Sequence, residues 1–220
     1  REAIEEATVR LGPDYTPGSL VGREQEYAKL NTMLSRALCC GCSDAVYVCG
    51  SSGLGKTVLL NRLLDDLQAR TSADCALQDS SEWIQDDETS IPMFKVVKLT
   101  GTAAPFPYRS IAEGLGLGTI TREEQAQQLV HARLTRTDDR ISFKRSGGGG
   151  VNVPDHTNSM VVLLVDEIDR LKQSVVRDLF ALSKDSTSRL VIVGLANSFN
   201  TMDKLGVPTA HQGNVEVFEQ

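Results

Sequence analysis

The chain alternates short apolar runs with longer segments in which apolar residues recur at helical spacing. The first run, Ala45-Val46-Tyr47-Val48-Cys49, predicts a buried strand. Nearly unbroken apolar strands are typical of a parallel sheet that is covered on both faces. Alternation of strands and helices therefore predicts a three-layer α/β domain with a mostly parallel five-stranded sheet. The other predicted strands are 94–99, 160–165, 190–195 and 215–218, and the predicted helices are 58–68, 108–115, 122–135 and 174–183.

Two polar segments interrupt this alternation. Residues 71–90 are polar and acidic, and we expect them to form an excursion on the surface. Residues 136–159 include four consecutive glycines, Gly147 to Gly150, and predict a flexible loop.

The charge balance is acidic, with 23 Lys and Arg against 29 Asp and Glu and a net charge of −6. Domains that bind nucleic acid by charge alone usually carry a basic face, so DNA contact is expected to be local or to come from another domain. No apolar run approaches the roughly 18 residues that a membrane span needs, and residues 1–10 are charged. We therefore expect an intracellular soluble protein without a membrane segment.

Five cysteines admit two interpretations. Cys39, Cys40 and Cys42 could ligate a metal ion, but no second Cys or His pair lies at zinc-site spacing. Reduced, partly buried thiols in a reducing compartment are the favoured interpretation, also for Cys49 and Cys75.

A glycine-rich loop follows the first strand and opens the first helix. Its sequence, GSSGLGKT, has the GxxxxGK[ST] spacing that lets backbone N–H groups converge on phosphate oxygens. Lys56 would place its charge near the β- and γ-phosphates, and Thr57 would offer its hydroxyl to Mg²⁺. The predicted nucleotide-binding residues are Gly50, Ser51, Ser52, Gly53, Leu54, Gly55, Lys56, Thr57 and Val58.

The strand at 160–165 ends in carboxylates, in the sequence LLVDEID. The carboxyl edge of an open α/β sheet is where ligands bind. Asp166 would complete the Mg²⁺ shell, and Glu167 would orient and polarise an attacking water. The alternative is a solvated acidic start of a helix.

A third strand end carries Asn197, in the sequence VIVGLANSFN. Its amide could hydrogen-bond the γ-phosphate or the attacking water. Ordinary turn chemistry explains an Asn after a strand equally well.

Together with the segment PGSLVGREQE at 17–26, these three motifs resemble the AAA+ replication initiator family, which comprises the largest subunit of the origin recognition complex, the cell division cycle six protein and their archaeal counterparts. The likeness covers roughly residues 14–200, apart from the two polar segments. It implies a P-loop NTPase core with ATP and Mg²⁺ as ligands. By the same likeness, Leu20, Val21 and Arg23, in the N-terminal segment 1–26, would lie at the adenine base.

The chain departs from the family pattern in places. Ser52 and Leu54 replace the usual Pro and Thr in the tolerant middle of the loop. From Leu195 to the last residue there is no Arg and only Lys204, so an arginine finger that reaches a neighbouring subunit is not expected. We expect residues 1–220 to be the ATPase core alone, with the lid and winged-helix domains outside this chain.

The resemblance implies an ATPase module of a nuclear replication initiator, which uses Mg-ATP to drive subunit assembly at origins. The partners would be other initiator or AAA+ subunits, with origin DNA contacted mainly by other domains. We expect tight Mg-ATP binding and slow, partner-dependent turnover. The alternatives are a nucleotide-dependent scaffold with little hydrolysis and another AAA+ ATPase such as a clamp-loader subunit.

Overall fold

A computed structural model of the protein describes residues 22–77, 91–135, 159–198, 201–207 and 214–218. For residues 72–77, 201–202 and 214–218 the description covers the backbone alone. The predicted adenine-side residues Leu20 and Val21 and the four-glycine run lie outside the described residues.

Five strands form one sheet in the order β2-β3-β4-β1-β5, and every described pair of strands is parallel. The parallel α/β fold class predicted from the apolar runs is confirmed. The strands are β1 (Asp44–Gly50), β2 (Phe94–Thr100), β3 (Met160–Asp166), β4 (Leu190–Ala196) and β5 (Asn214–Phe218).

Helices connect these strands and cover the sheet. Short 3₁₀ turns, Gly101–Ala103 and Ile168–Arg170, follow β2 and β3. The helices are α1 (Glu24–Cys40), α2 (Lys56–Leu77), α3 (Pro107–Leu115), α4 (Glu123–Leu134), α5 (Gln173–Leu182) and α6 (Thr201–Lys204).

One boundary corrects a prediction. Residues 71–90 were predicted to form a surface excursion, but residues 71–77 instead continue α2 as far as Leu77. Thr71 is 8% exposed, and its hydroxyl donates to the carbonyl oxygen of Gln68 at 2.6 Å. No Gly or Pro interrupts residues 56–77, and Ala73, Ala76 and Leu77 are good helix formers, so the helix continues into this segment. Residues 78–90 lie outside the described part of the chain.

Helix α1 was not among the predicted helices, although its signal is present in the sequence. Leu30, Leu34 and Leu38 recur at intervals of four residues and are at most 1% exposed. The helix ends at Gly41, whose φ of 60° is the left-handed conformation that suits a glycine after a helix.

The core lies on both faces of the sheet. Helices α1 and α2 pack on one face, where Val46 and Val48 of β1 point, and α3, α4 and α5 pack on the other, where Tyr47 points. Burial on both faces explains why β1, β3 and β4 are nearly unbroken apolar runs.

Strand order decides where the polar strand ends meet. Because β3, β4 and β1 are consecutive in the sheet, the residues after Asp166, Ala196 and Gly50 lie at one edge. The three motifs that are far apart in sequence therefore converge.

Within the described ranges, no helix combines the length and apolarity needed to cross a membrane. The same ranges contain no group of three His, Cys, Asp or Glu side chains arranged to hold a metal ion. Cys40 and Cys42 are exposed at the end of α1, Cys39 is partly buried, and Cys49 is buried in β1.

Candidate functional site

The glycine loop runs between β1 and α2, and its backbone requires glycine. Gly53 and Gly55 have φ angles of 83° and 80°, in the left-handed region that other residues rarely adopt. A Cβ at either position would meet no atom within 4 Å, so the requirement is one of conformation and not of space. Such a curled backbone at the start of a helix presents N–H groups to an anion.

Lys56, the first residue of α2, is buried beneath this loop and is 7% exposed. Its Nζ donates to the carbonyl oxygens of Gly50 and Ser51 at 2.7 and 2.9 Å, and to Oδ1 of Asn197 at 3.2 Å. Burial lowers the pKa of the Lys56 ammonium, and the nearby charge of Asp166 opposes that shift. The Lys56 ammonium is therefore a cation held beside the glycine loop by three oxygen atoms.

Thr57 and Asp166 join the loop to the end of β3. Thr57 Oγ1 donates to Oδ2 of Asp166 at 2.8 Å, and Oδ1 of the same carboxylate accepts the backbone N–H of Glu167 at 2.9 Å. A hydroxyl and a carboxylate side by side are hard oxygen donors of the kind that Mg²⁺ prefers. The side chains therefore fit the ion that the sequence predicts.

Glu167 has a backbone conformation unlike its neighbours. Its φ of 51° makes it the one non-glycine residue at positive φ within the described ranges. Its Oε2 accepts a hydrogen bond from Oγ1 of Thr102 at 2.7 Å. Thr102 was not predicted as a site residue. It follows β2, which pairs with β3, so a polar residue at this strand end was the signal in the sequence for this contact.

Asn197 directly follows β4, and its side-chain oxygen faces Lys56. The residue after it, Ser198, accepts a hydrogen bond at its carbonyl oxygen from the hydroxyl of Tyr47. Tyr47 is 1% exposed and lies in β1 opposite Gly194. Tyr47 was not predicted as a site residue either. The signal in the sequence was a hydroxyl group within a buried strand that is mostly apolar.

The remaining predicted residues lie around this centre. Ser51 and Ser52 are exposed at the tip of the loop, Leu54 packs partly buried against the α1–α2 side of the core, and Val58 is half-buried. Arg23 precedes α1, where its Nη1 donates to Oε1 of Glu26 at 2.7 Å. The role of Arg23 toward adenine stays a prediction.

The chain also matches a known protein family. The family model described as AAA domain matches residues 43–202, a span from before β1 to α6. The chain belongs to the AAA domain family.

This AAA domain is similar to initiator proteins. It is 24% identical over 206 residues to origin recognition complex subunit 1 of Mus musculus, covering 92% of this chain and 21% of that protein. It is 26% identical over 201 residues to cell division control protein 18 of Schizosaccharomyces pombe, covering 90% of this chain and 30% of that protein. The resemblance to replication initiators is thus confirmed, and the chain spans less than a third of the length of these relatives.

A solved structure extends the likeness to three dimensions. A chain in the structure of Drosophila ORC bound to DNA matches this AAA domain with a TM-score of 0.70 and 25% identity. The match covers 99% of this domain and 47% of the Drosophila chain.

Proposed function

We propose that this AAA domain binds and hydrolyses Mg-ATP as the ATPase module of a DNA replication initiator. The observation that carries the proposal is the position of Lys56. Its ammonium is buried at the glycine loop and contacts Asn197, which comes from a strand end 141 residues away in sequence. All three hydrogen bonds of this buried ammonium go to neutral oxygens, and Asp166 acts on it as a nearby charge without a hydrogen bond, so the ammonium is suited to an anionic ligand in direct contact.

Binding would use the loop and the lysine together. The backbone N–H groups at the start of α2 and the Lys56 ammonium would hold the triphosphate. The Lys56 ammonium donates hydrogen bonds to the carbonyl oxygens of Gly50 and Ser51, and these bonds fix its position at the loop.

Thr57 and Asp166 would hold the magnesium ion, Asp166 through water. When bound, the ion neutralises charge that develops on the phosphates during transfer. The chain's own part is to orient these two oxygens, and the backbone N–H of Glu167 fixes the Asp166 carboxylate for that purpose.

Hydrolysis would depend on Glu167. Its carboxylate would orient a water molecule and accept a proton from it, which is the usual task of a carboxylate near a γ-phosphate. Asn197 would contact the γ-phosphate or that water.

The initiator role rests on the relatives. The similar proteins named above include a subunit of an origin recognition complex, and the solved relative is a chain in a structure of Drosophila ORC bound to DNA. We propose that residues 1–220 form the ATPase core and that ATP favours assembly with other initiator subunits in the nucleus. The net charge of −6 favours DNA contact through other domains.

A second candidate function is a nucleotide-dependent scaffold with little hydrolysis. The hydrogen bond between Thr102 and Glu167 favours it, because one carboxylate oxygen is already occupied. The absence of arginine from residue 195 to residue 220 also favours slow turnover by the chain alone.

Titration calorimetry with ATP in the presence of Mg²⁺ tests the proposal. Lys56→Ala should weaken ATP binding about 10- to 100-fold, because a charged hydrogen bond contributes roughly 1.5–3 kcal/mol. Lys184→Ala is the matched control, since its ammonium pairs with Asp44 at the opposite edge of the sheet, and its affinity should equal that of the wild type. Equal affinities of all three proteins would contradict the proposed site.

A further inference from the structure

The turn that carries Glu167 is held tightly against the end of β2. The carbonyl oxygen of Glu167 accepts the N–H of Arg170 at 2.9 Å, within the 3₁₀ turn that follows β3. With φ at 51°, this backbone directs its carbonyl toward the neighbouring strand end, at Gly101. A left-handed glutamate costs conformational energy, so the surroundings must impose it.

Gly101 leaves the space that this carbonyl occupies. An ideal Cβ on Gly101 would lie 2.2 Å from the Glu167 carbonyl oxygen and 3.1 Å from Cβ of Arg170. Gly101 does not itself have a positive φ. Glycine is therefore required at position 101 because another backbone segment approaches closely. Any side chain there would force the turn at Glu167 to move.

A second glycine lies on the other side of β3. An ideal Cβ on Gly194, in β4, would lie 2.9 Å from Cδ1 of Ile168 and 3.5 Å from Cζ of Phe180. Ile168 follows Glu167 directly and is 0% exposed. Its side chain thus anchors the turn in the core over Gly194. This contact involves the end of a side chain, so it can yield more easily than the contact at Gly101.

We propose that Gly101 is a positioning residue for Glu167, and that Gly194 supports it from the opposite strand. The missing side chain at Gly101 sets how far the Glu167 backbone approaches β2, and so where the carboxylate lies relative to Thr102 and Asp166. The inference rests on the proposed function, in which that carboxylate orients the attacking water.

Thermal unfolding tests the contact without any nucleotide. Gly101→Ala should lower Tm by about 4–10 °C, as overpacking against backbone does in a domain of this size. Glu167→Gly alone should raise Tm slightly, because glycine adopts the left-handed region freely. When Gly101→Ala and Glu167→Gly are combined, the freer backbone at residue 167 should recover at least half of the decrease in Tm that Gly101→Ala causes alone.

Gly114→Ala is the matched control for this cycle. It adds the same methyl group against β2, where the Cβ would lie 2.7 Å from Cγ1 of Val97, away from Glu167. Its effect on Tm should add to that of Glu167→Gly without coupling. Additive effects for Gly101→Ala as well would overturn the proposal.

Single-turnover hydrolysis tests the consequence. Gly101→Ala should lower the hydrolysis rate at least 10-fold while its ATP affinity stays within about threefold, because a small misplacement of a reacting group can cost 10²-fold. Gly194→Ala should lower the rate about two- to fivefold, and Gly114→Ala less than twofold. A rate for Gly101→Ala within twofold of the wild type would overturn the proposal.

Nucleotide binding and the role of Gly101 can be contradicted separately. If the wild-type chain binds no ATP, the proposed function is wrong, and the coupling in Tm still decides whether Gly101 positions residue 167. If ATP binds and is cleaved while the Tm effects are additive, the proposed function holds and the inference is wrong.

Discussion

Lys56 and Glu167 lie at the same edge of the sheet, yet their side chains are held in different ways. Lys56 is buried and donates to three oxygens, two of them in the loop that precedes it. Glu167 is half-buried, with one hydroxyl partner for its carboxylate and a left-handed backbone. The difference indicates that the lysine side (Lys56 with Gly50, Ser51 and Asn197) is fixed in place, whereas on the glutamate side (Glu167 with Thr102) the backbone is fixed and the carboxylate can change its partner.

This contrast has a physical origin in the chain. The contacts of Lys56 are mostly local, because Gly50 and Ser51 lie within six residues of it. The position of Glu167 depends on residues from other strands, Thr102 after β2 and Gly194 in β4. Changes on the lysine side should therefore act on affinity, and changes on the glutamate side on turnover.

Glu167→Gln should have the largest effect on turnover. Removing the proton-accepting carboxylate should slow single-turnover hydrolysis about 10²- to 10⁴-fold, with ATP affinity changed less than threefold. Glu113→Gln, an exposed glutamate on α3, is the control and should hydrolyse at the wild-type rate. An unchanged rate for Glu167→Gln would instead favour the scaffold function.

Thr102→Val should have a smaller effect of the opposite sign. Valine has nearly the same shape but donates no hydrogen bond, so it frees a carboxylate oxygen of Glu167. A hydrogen bond to a charged carboxylate contributes roughly 1.5–3 kcal/mol, but water replaces most of it at this exposed position, so hydrolysis should be about two- to fivefold faster. Thr119→Val, an exposed threonine between α3 and α4, serves as the control. Slower hydrolysis would mean that Thr102 holds the carboxylate in its working position.

Tyr47→Phe should have the smallest effect on the chemistry. It removes the buried donor to the carbonyl oxygen of Ser198 and should lower Tm by about 2–6 °C. Because Asn197 is the adjacent residue, ATP affinity should fall about twofold. Tyr27→Phe is the control, since its hydroxyl bonds Asp66 on α2 and its loss should lower Tm alone. Equal ATP affinities of the two variants would contradict a role of Tyr47 in placing Asn197.

Much of the fold could be predicted from the sequence because the strands are apolar on both faces. The strand predictions agree with the structure within one or two residues, and the boundaries of α3, α4 and α5 lie within one residue of the predicted helices. Helix α1 was missed although its leucines recur at helical spacing, and α2 runs past its predicted end because residues 71–77 contain no Gly or Pro to end it. Composition alone does not show where such a helix stops.

The candidate site could be predicted in part. The glycine spacing and the acidic strand end pointed to Lys56, Thr57 and Asp166, and the structure brings Thr57 and Asp166 together at 2.8 Å. Thr102 and Tyr47 were missed because their partners come from other strands, and only the order β2-β3-β4-β1 makes those strands neighbours. The requirement for glycine at position 101 likewise comes from a contact across the sheet.

In the proposed function, the lysine side and the glutamate side together form one Mg-ATP site. A crystal structure of the chain with Mg²⁺ and a non-hydrolysable ATP analogue tests it most directly. The triphosphate should lie in the loop 50–57 in contact with Lys56 Nζ, and the metal ion should lie beside Thr57 Oγ1 and Asp166. A loop that stays empty at saturating analogue, or a nucleotide bound elsewhere on the sheet, would contradict it.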